Sequence, residues 1–293
     1  MTRSSLFLLF AALMLSSALS RPLAAQENPY FVAYDHNLEE PGNLEVEYFS
    51  TFGTQHAEND FHAFWTEFEY GVTAWWTTEF YLDAQSTFHD STVYSGFKWE
   101  NRFRVLKHEH WINPVLYAEF EDINGTDKTL KEVVGHDVES DYLAPNSLTR
   151  SEHKREIELK LILSSNTKGW NFSENIITEK NLSNEPWEFG YALAASRPLA
   201  LKAAAKRCNF CRQHFIVGAE MYGGLGDRHS FGLRETSHYL APVVGWNLPS
   251  GWTLRLSPGF GLNDNSYRFL LRWGVSREIS GFDQLVRRLL GAK

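Results

Sequence analysis

The chain has 293 residues, a formal charge of −8, 43% hydrophobic and 15% aromatic residues. That balance is too polar for a bundle of membrane helices, and the acidic surplus excludes the basic footprint of a nucleic-acid binder. The high aromatic share instead suits a β-rich chain with rings girdling its strands.

The N-terminus reads as a separate object. Arg3 precedes the apolar run Leu6–Leu15, which is too short to span a bilayer as a helix. Small residues follow, and Ala24–Ala25 or Ser20 offers a cleavage position, so residues 1–25 read as a secretory signal peptide. They carry Arg3 and Arg21 and no acid, so the 28 basic residues fall to 26 against 36 acids, a net of −10. No later apolar run reaches the ~20 residues of a membrane helix. Residues 26–42 carry no strand pattern and are expected to be a periplasmic N-terminal segment.

From residue 43 to 279 the sequence alternates with period two, in segments divided by turn residues. The first sets Leu44, Val46, Tyr48 and Phe52 against Glu45, Glu47 and Thr51. The second sets Phe64, Phe68, Tyr70 and Val72 against Glu67 and Glu69; the third sets Trp76, Phe80 and Leu82 against Glu79, Asp83 and Gln85. In the fourth, Val93, Phe97, Trp99, Phe103 and Val105 oppose Lys98, Glu100, Arg102 and Arg104. The fifth opposes Leu116, Ala118 and Phe120 to Glu119 and Glu121, and the sixth opposes Ile157, Leu159, Leu161 and Leu163 to Glu156, Glu158 and Lys160.

Charge contrast then weakens. Segment seven has Trp170, Phe172 and Ile176 against Asn171, Ser173 and Asn175; segment eight has Trp187, Phe189, Tyr191 and Leu193 against Glu188, Gly190 and Ala192. Segment nine opposes Phe215, Val217, Ala219 and Met221 to Gly218 and Glu220, and segment ten carries Leu240, Pro242, Val244 and Trp246 on its apolar side. Segment eleven sets Trp252, Leu254, Leu256 and Phe260 against Arg255 and Ser257. Segment twelve sets Tyr267, Phe269, Leu271, Trp273 and Val275 against Arg268, Arg272 and Ser276.

Segments of roughly ten residues cross a bilayer when tilted, and an even count returns both ends to one side. The pattern therefore predicts an all-β fold, an antiparallel transmembrane β-barrel of about twelve strands. A soluble sandwich also alternates. However, Trp76, Trp99, Trp170, Trp187, Trp246, Trp252 and Trp273 cluster near segment ends, where membrane interfaces favour Trp. Two positions resist the pattern: Glu174 has lipid-facing parity, and Pro242 removes a ladder donor in mid-strand. In the tail, 280–293, Phe282, Leu285, Val286 and Leu289 have helical spacing and predict a short periplasmic helix, with a frayed tail as the alternative.

The stretches Pro186–Tyr191, His238–Val243 and Leu256–Asp264 resemble those of bacterial outer-membrane β-barrel proteins of the transporter type. The resemblance covers mainly residues 170–279 and rests on strand and turn patterns. It implies an outer-membrane location and a barrel, and no substrate.

The charged faces are the candidate lumen and filter. They comprise Glu45, Glu47, Glu67, Glu69, Glu79, Asp83, Glu100, Glu119, Glu121, Glu156, Glu158, Glu188 and Glu220, with Lys98, Arg102, Arg104, Lys160, Arg255, Arg268 and Arg272. Closure would set Arg268 and Arg272 opposite Glu45 and Glu47. Two readings stand: an ion-pair network that fills the lumen, and a net-acidic path for polar or cationic solutes. The expected function is a porin-like channel or binder for such solutes. The alternatives are a plugged structural or assembly barrel without flux, and a lipid-active hydrolase. No His-x-Ser-Asn motif supports the hydrolase, and His229–Ser230 would point to opposite faces of a strand. Cys208 and Cys211 are spaced for a tight disulfide, and Arg212 excludes a c-type haem site. No metal and no cofactor are expected, His108, His110 and His214 notwithstanding. The partners expected are membrane lipid and a small solute. The acids of the Asp122–Glu152 loop (Asp127, Glu132, Asp137, Glu139, Asp141) lack EF-hand spacing and read as solvated.

Overall fold

Alternation with one charged and one apolar face can bury its charges only by closing a sheet on itself, and the chain does this. The computed structural model describes residues 29–54, 60–129, 133–136, 144–183, 185–202 and 208–290. The signal-peptide reading, and Glu132, Asp137, Glu139 and Asp141, lie outside the described residues. Twelve strands form: β1 (Leu44–Thr54), β2 (Phe61–Thr73), β3 (Trp76–Thr87), β4 (Thr92–Arg104), β5 (Asn113–Asn124), β6 (His153–Thr167), β7 (Trp170–Asn181), β8 (Trp187–Pro198), β9 (Phe215–Asp227), β10 (His238–Asn247), β11 (Trp252–Gly261) and β12 (Phe269–Ile279). Each pairs antiparallel with its sequence neighbours, and β12 closes onto β1.

Closure inverts the usual globular order. Phe80, Trp99, Leu116, Ile176 and Leu256 are exposed on the outside, while Glu79, Glu100 and Glu121 are buried within. An apolar belt around a polar interior is what a bilayer selects. Glu174 lies on the exterior, opposite Leu163 and Leu193, as its parity requires.

Three local departures have physical causes. The β3–β4 register shifts between Asp83 and Ala84, so Val93 pairs with the inward Gln85 rather than facing lipid. Gly96 allows the bulge: its φ is +152°, and a Cβ there would meet the Asp122 carbonyl oxygen at 2.2 Å. Tyr267 and Arg268 precede β12 instead of belonging to it; Tyr267 is buried inside and Arg268 is exposed. The β10–β11 ladder pairs Leu240 with Phe260 and Val244 with Leu256 but is interrupted between. By that register Pro242 faces Pro258, and neither ring nitrogen can donate.

The N-terminal segment does not remain outside. Residues 29–42 run through the lumen before entering β1, so the expected periplasmic lead-in is an internal strap. At the mouth where β1 begins and β12 ends, the tail forms a helix, Phe282–Leu289. Its Asp283 amide donates to the Gly42 carbonyl at 3.0 Å, and the Gly281 amide donates to Asn43 Oδ1 at 2.8 Å. At the other mouth, the β5–β6 connection folds inward. Gln85 Nε2 donates to the Thr126 carbonyl at 2.6 Å, and the Tyr267 hydroxyl donates to the Lys128 carbonyl at 2.9 Å. Cys208 and Cys211 are disulfide-bonded in the β8–β9 connection.

Candidate functional site: the lumen

The strap is held from both sides of its backbone. Both oxygens of the Glu220 carboxylate, on β9, are engaged: they accept the amides of Phe31 (3.0 Å), Val32 (2.8 Å) and Ala33 (2.8 Å). Asn175 Oδ1 accepts the Tyr34 amide at 2.6 Å, and Ser164 Oγ accepts that of His36 at 3.0 Å. Arginines take the carbonyls: Arg255 donates to Tyr30 O (3.1 Å), Arg104 to His36 O (3.1 Å) and Arg102 to Asn37 O (3.4 Å). A segment without regular structure thus finds partners for its buried amides and carbonyls in side chains of the wall. Tyr34 also engages the wall through its side chain. Its hydroxyl donates to Glu100 Oε2 at 3.0 Å, and Lys160 Nζ lies 4.7 Å from its ring centroid.

Between strap and inward loop lies a cavity of about 590 Å³, in whose wall acids outnumber bases by more than two to one. The bases are largely committed. Arg102 binds Glu69 and Glu79 and lies 3.2 Å from Glu100; Arg255 binds Glu47; Lys160 lies 2.8 Å from Glu158 and Lys98 3.7 Å from Glu121. By register Arg272 stands opposite Thr51 and not opposite Glu45 or Glu47, and it donates to the Tyr222 hydroxyl at 2.5 Å. Asp83, Glu156 and Glu220 also sit on the inner wall. Of the residues expected in the lumen, Arg268 alone lies outside it.

The registers reveal an order that alternation cannot show. Glu278 of β12 pairs with Glu45, Glu45 with Glu69, Glu69 with Glu79, Glu79 with Glu100 and Glu100 with Glu119. The row continues from Glu119 to Glu158, Glu179, Glu188 and Asp227. One acid from each of ten successive strands therefore stands in a single cross-strand row. It begins one residue from the end of β12, at the mouth where β1 begins, and finishes on the last residue of β9, at the other mouth. Strands are ~4.8 Å apart and tilted by ~40°, so nine steps climb about 28 Å, close to the hydrocarbon thickness. Like charges directly opposite one another destabilise a sheet, and here the arrangement recurs nine times.

Glu179, Asp227 and Glu278 are the row members that strand-by-strand reading misses. Glu179 follows Asn171, Ser173 and Asn175 at the same parity, so extending that count would have found it. Buried Tyr81 and Tyr117 were missed because an aromatic in a barrel sequence reads as lipid-facing.

On the outer face, Ser50 Oγ lies 2.6 Å from His62 Nε2. Ser50 is only 1% exposed, and among the described residues no carboxylate contacts His62. The hydroxyl is covered from the acyl chains it would have to attack, and the base lacks an orienting acid.

No protein-family model matches the sequence, and no curated protein matches it. Among solved structures, an outer-membrane channel from Pseudomonas putida F1 superposes with a TM-score of 0.56 at 10% identity, over 84% of this chain and 98% of that one. The chain has the fold of a bacterial outer-membrane channel. The KdgM porin (TM-score 0.43, 9% identity, 80% and 98% covered) and the NanC porin (0.42, 10%, 80% and 97%) are more distant. The apolar belt and the barrel together place this outer-membrane protein in the bacterial outer membrane.

Proposed function

We propose that the protein is a porin-like channel that passes or binds small polar, preferentially cationic solutes, and that the internal strap narrows its lumen. The observation carrying this reading is the acid row, which joins one mouth to the other. A barrel needing only stability would mix charges across its strands, as the Arg102 cluster does locally. A continuous like-charge row is costly unless cations spend time beside it. The exported fold and the similarity to a channel barrel support the same reading.

The test is the reversal potential of the refolded chain in a planar bilayer under a KCl gradient. Potentials of the sign for K⁺ over Cl⁻ are expected, and anion preference would refute the reading. The strap favours a second reading, a plugged barrel without flux. The two separate with the strap in place: a channel then conducts, whereas a barrel plugged by the strap is silent until residues 29–36 are deleted.

A further inference from the structure

Glu67 stands beside the acid row, on β2, and is 6% exposed. Among the described residues no hydrogen bond or ion pair engages it. A carboxylate more than nine-tenths buried and without a partner is costly, and such groups call for an ion or a proton. Its oxygens lie within 4.8 Å of those of Glu69 and Glu79, the adjacent members of the row.

We propose that Glu67, Glu69 and Glu79 form a binding site for a hard divalent cation of the calcium type. The ligand set is all oxygen, which suits calcium or magnesium and gives no nitrogen or sulfur for zinc or copper. Two oxygens bound to one calcium ion at ~2.4 Å lie at most about 5 Å apart, so a single ion can reach all three carboxylates. Charge argues for a divalent ion. Glu69, Glu79 and Glu100 surround the single guanidinium of Arg102, and Glu67 adds a fourth carboxylate beside Glu69 and Glu79. One monovalent cation offsets too little of that surplus. Arg102 also has a positioning role: it holds Glu69 and Glu79 and leaves Glu67 as the open arm of the site. Glu67 and Glu79 both border the cavity, which gives the ion a way in. The site deepens the channel reading and rests on it only for the claim that the bound ion is in transit.

The test is calorimetric titration of CaCl₂ alone into the full refolded chain, stripped with a chelator and held in KCl. Saturable binding is expected, weakened at least tenfold in Glu67→Gln and unchanged in Glu174→Gln on the lipid face. No saturable binding, or equal binding by Glu67→Gln, overturns the site. Should Glu67→Gln fail to refold, the wild-type thermal transition decides: a rise with added Ca²⁺ but not with equal added Mg²⁺-free KCl supports the site, and no rise overturns it. Cation-selective conductance without Ca²⁺ binding sinks the site and leaves the channel. Ca²⁺ binding that depends on Glu67, in a barrel silent with its strap in place, keeps the site and sinks the channel.

Discussion

Glu220→Gln is the perturbation that addresses the strap most directly. The native carboxylate accepts three amides at 2.8–3.0 Å, two on Oε1 and one on Oε2. Hydrogen bonds to a charged acceptor contribute about 1.5–3 kcal/mol each, against about 0.5–1.5 kcal/mol for neutral ones. The carboxamide keeps one acceptor oxygen, so the Val32 and Ala33 bonds survive in weaker form. Its NH₂ meets the Phe31 amide donor to donor, and that bond is lost. The net destabilisation of the seated strap is about 3 kcal/mol. At ~1.4 kcal/mol per tenfold, the population with the strap unseated rises roughly a hundredfold. Glutamine is nearly isosteric and the barrel ladders are untouched, so heat-modifiability of the barrel is expected to be unchanged. Two readouts follow the strap itself: the rate of protease clipping within residues 29–42, and the open-time fraction of single channels. Both are expected to increase. Clipping and gating equal to wild type in a correctly folded variant would refute the argument that Glu220 clamps the strap.

Two further outcomes follow from the same geometry. Leu256→Lys, on the exposed belt at the middle of β11, is expected to cost about 2–4 kcal/mol of membrane stability, whereas Thr253→Lys on the lumen side of the same strand still inserts; equal insertion yields on refolding into liposomes would contradict the assignment of faces. The Glu39 carboxyl, in the strap, is raised from the ordinary carboxylate range to about 8, by burial first and then by the Glu45 and Glu278 carboxylates. Its folded pKa exceeds its unfolded one, so the strap is most stable below the unfolded value and loosens as pH rises through about 8. Protease clipping of the strap should therefore quicken between about pH 5 and 8 and level off above, and Glu39→Gln should flatten that profile.

The barrel was legible in the sequence because a two-residue period assigns each side chain to a face without knowledge of its neighbours. Glu45, Glu79, Glu119 and Glu158 could be placed inside by counting alone, and the lumen's acidity followed. Where the count broke, a backbone feature broke it: the bulge at Gly96 turned Val93 inward, and the turn before β12 carried Arg268 out of the wall. The strap was not legible, because nothing local announces it. Its amides are satisfied by Glu220, Asn175 and Ser164, more than a hundred residues away, and a stretch without periodicity reads as unstructured until those partners are known. The acid row was hidden for a related reason. Each glutamate is visible, but whether it opposes another acid or a base depends on register, which is fixed by turn lengths and bulges summed around twelve strands. A one-residue slip at a single hairpin would set acids against the opposite parity and end the row there. That the row survives nine successive pairings, including the β12–β1 seam and the shifted β8–β9 ladder, means that turn geometry and glutamate placement agree all round the barrel. Stability alone does not ask for that agreement, since opposite charges at any of those pairings would hold the sheet better. A path for cations does ask for it, because a gap in the row would leave an ion without a carboxylate between one mouth and the other.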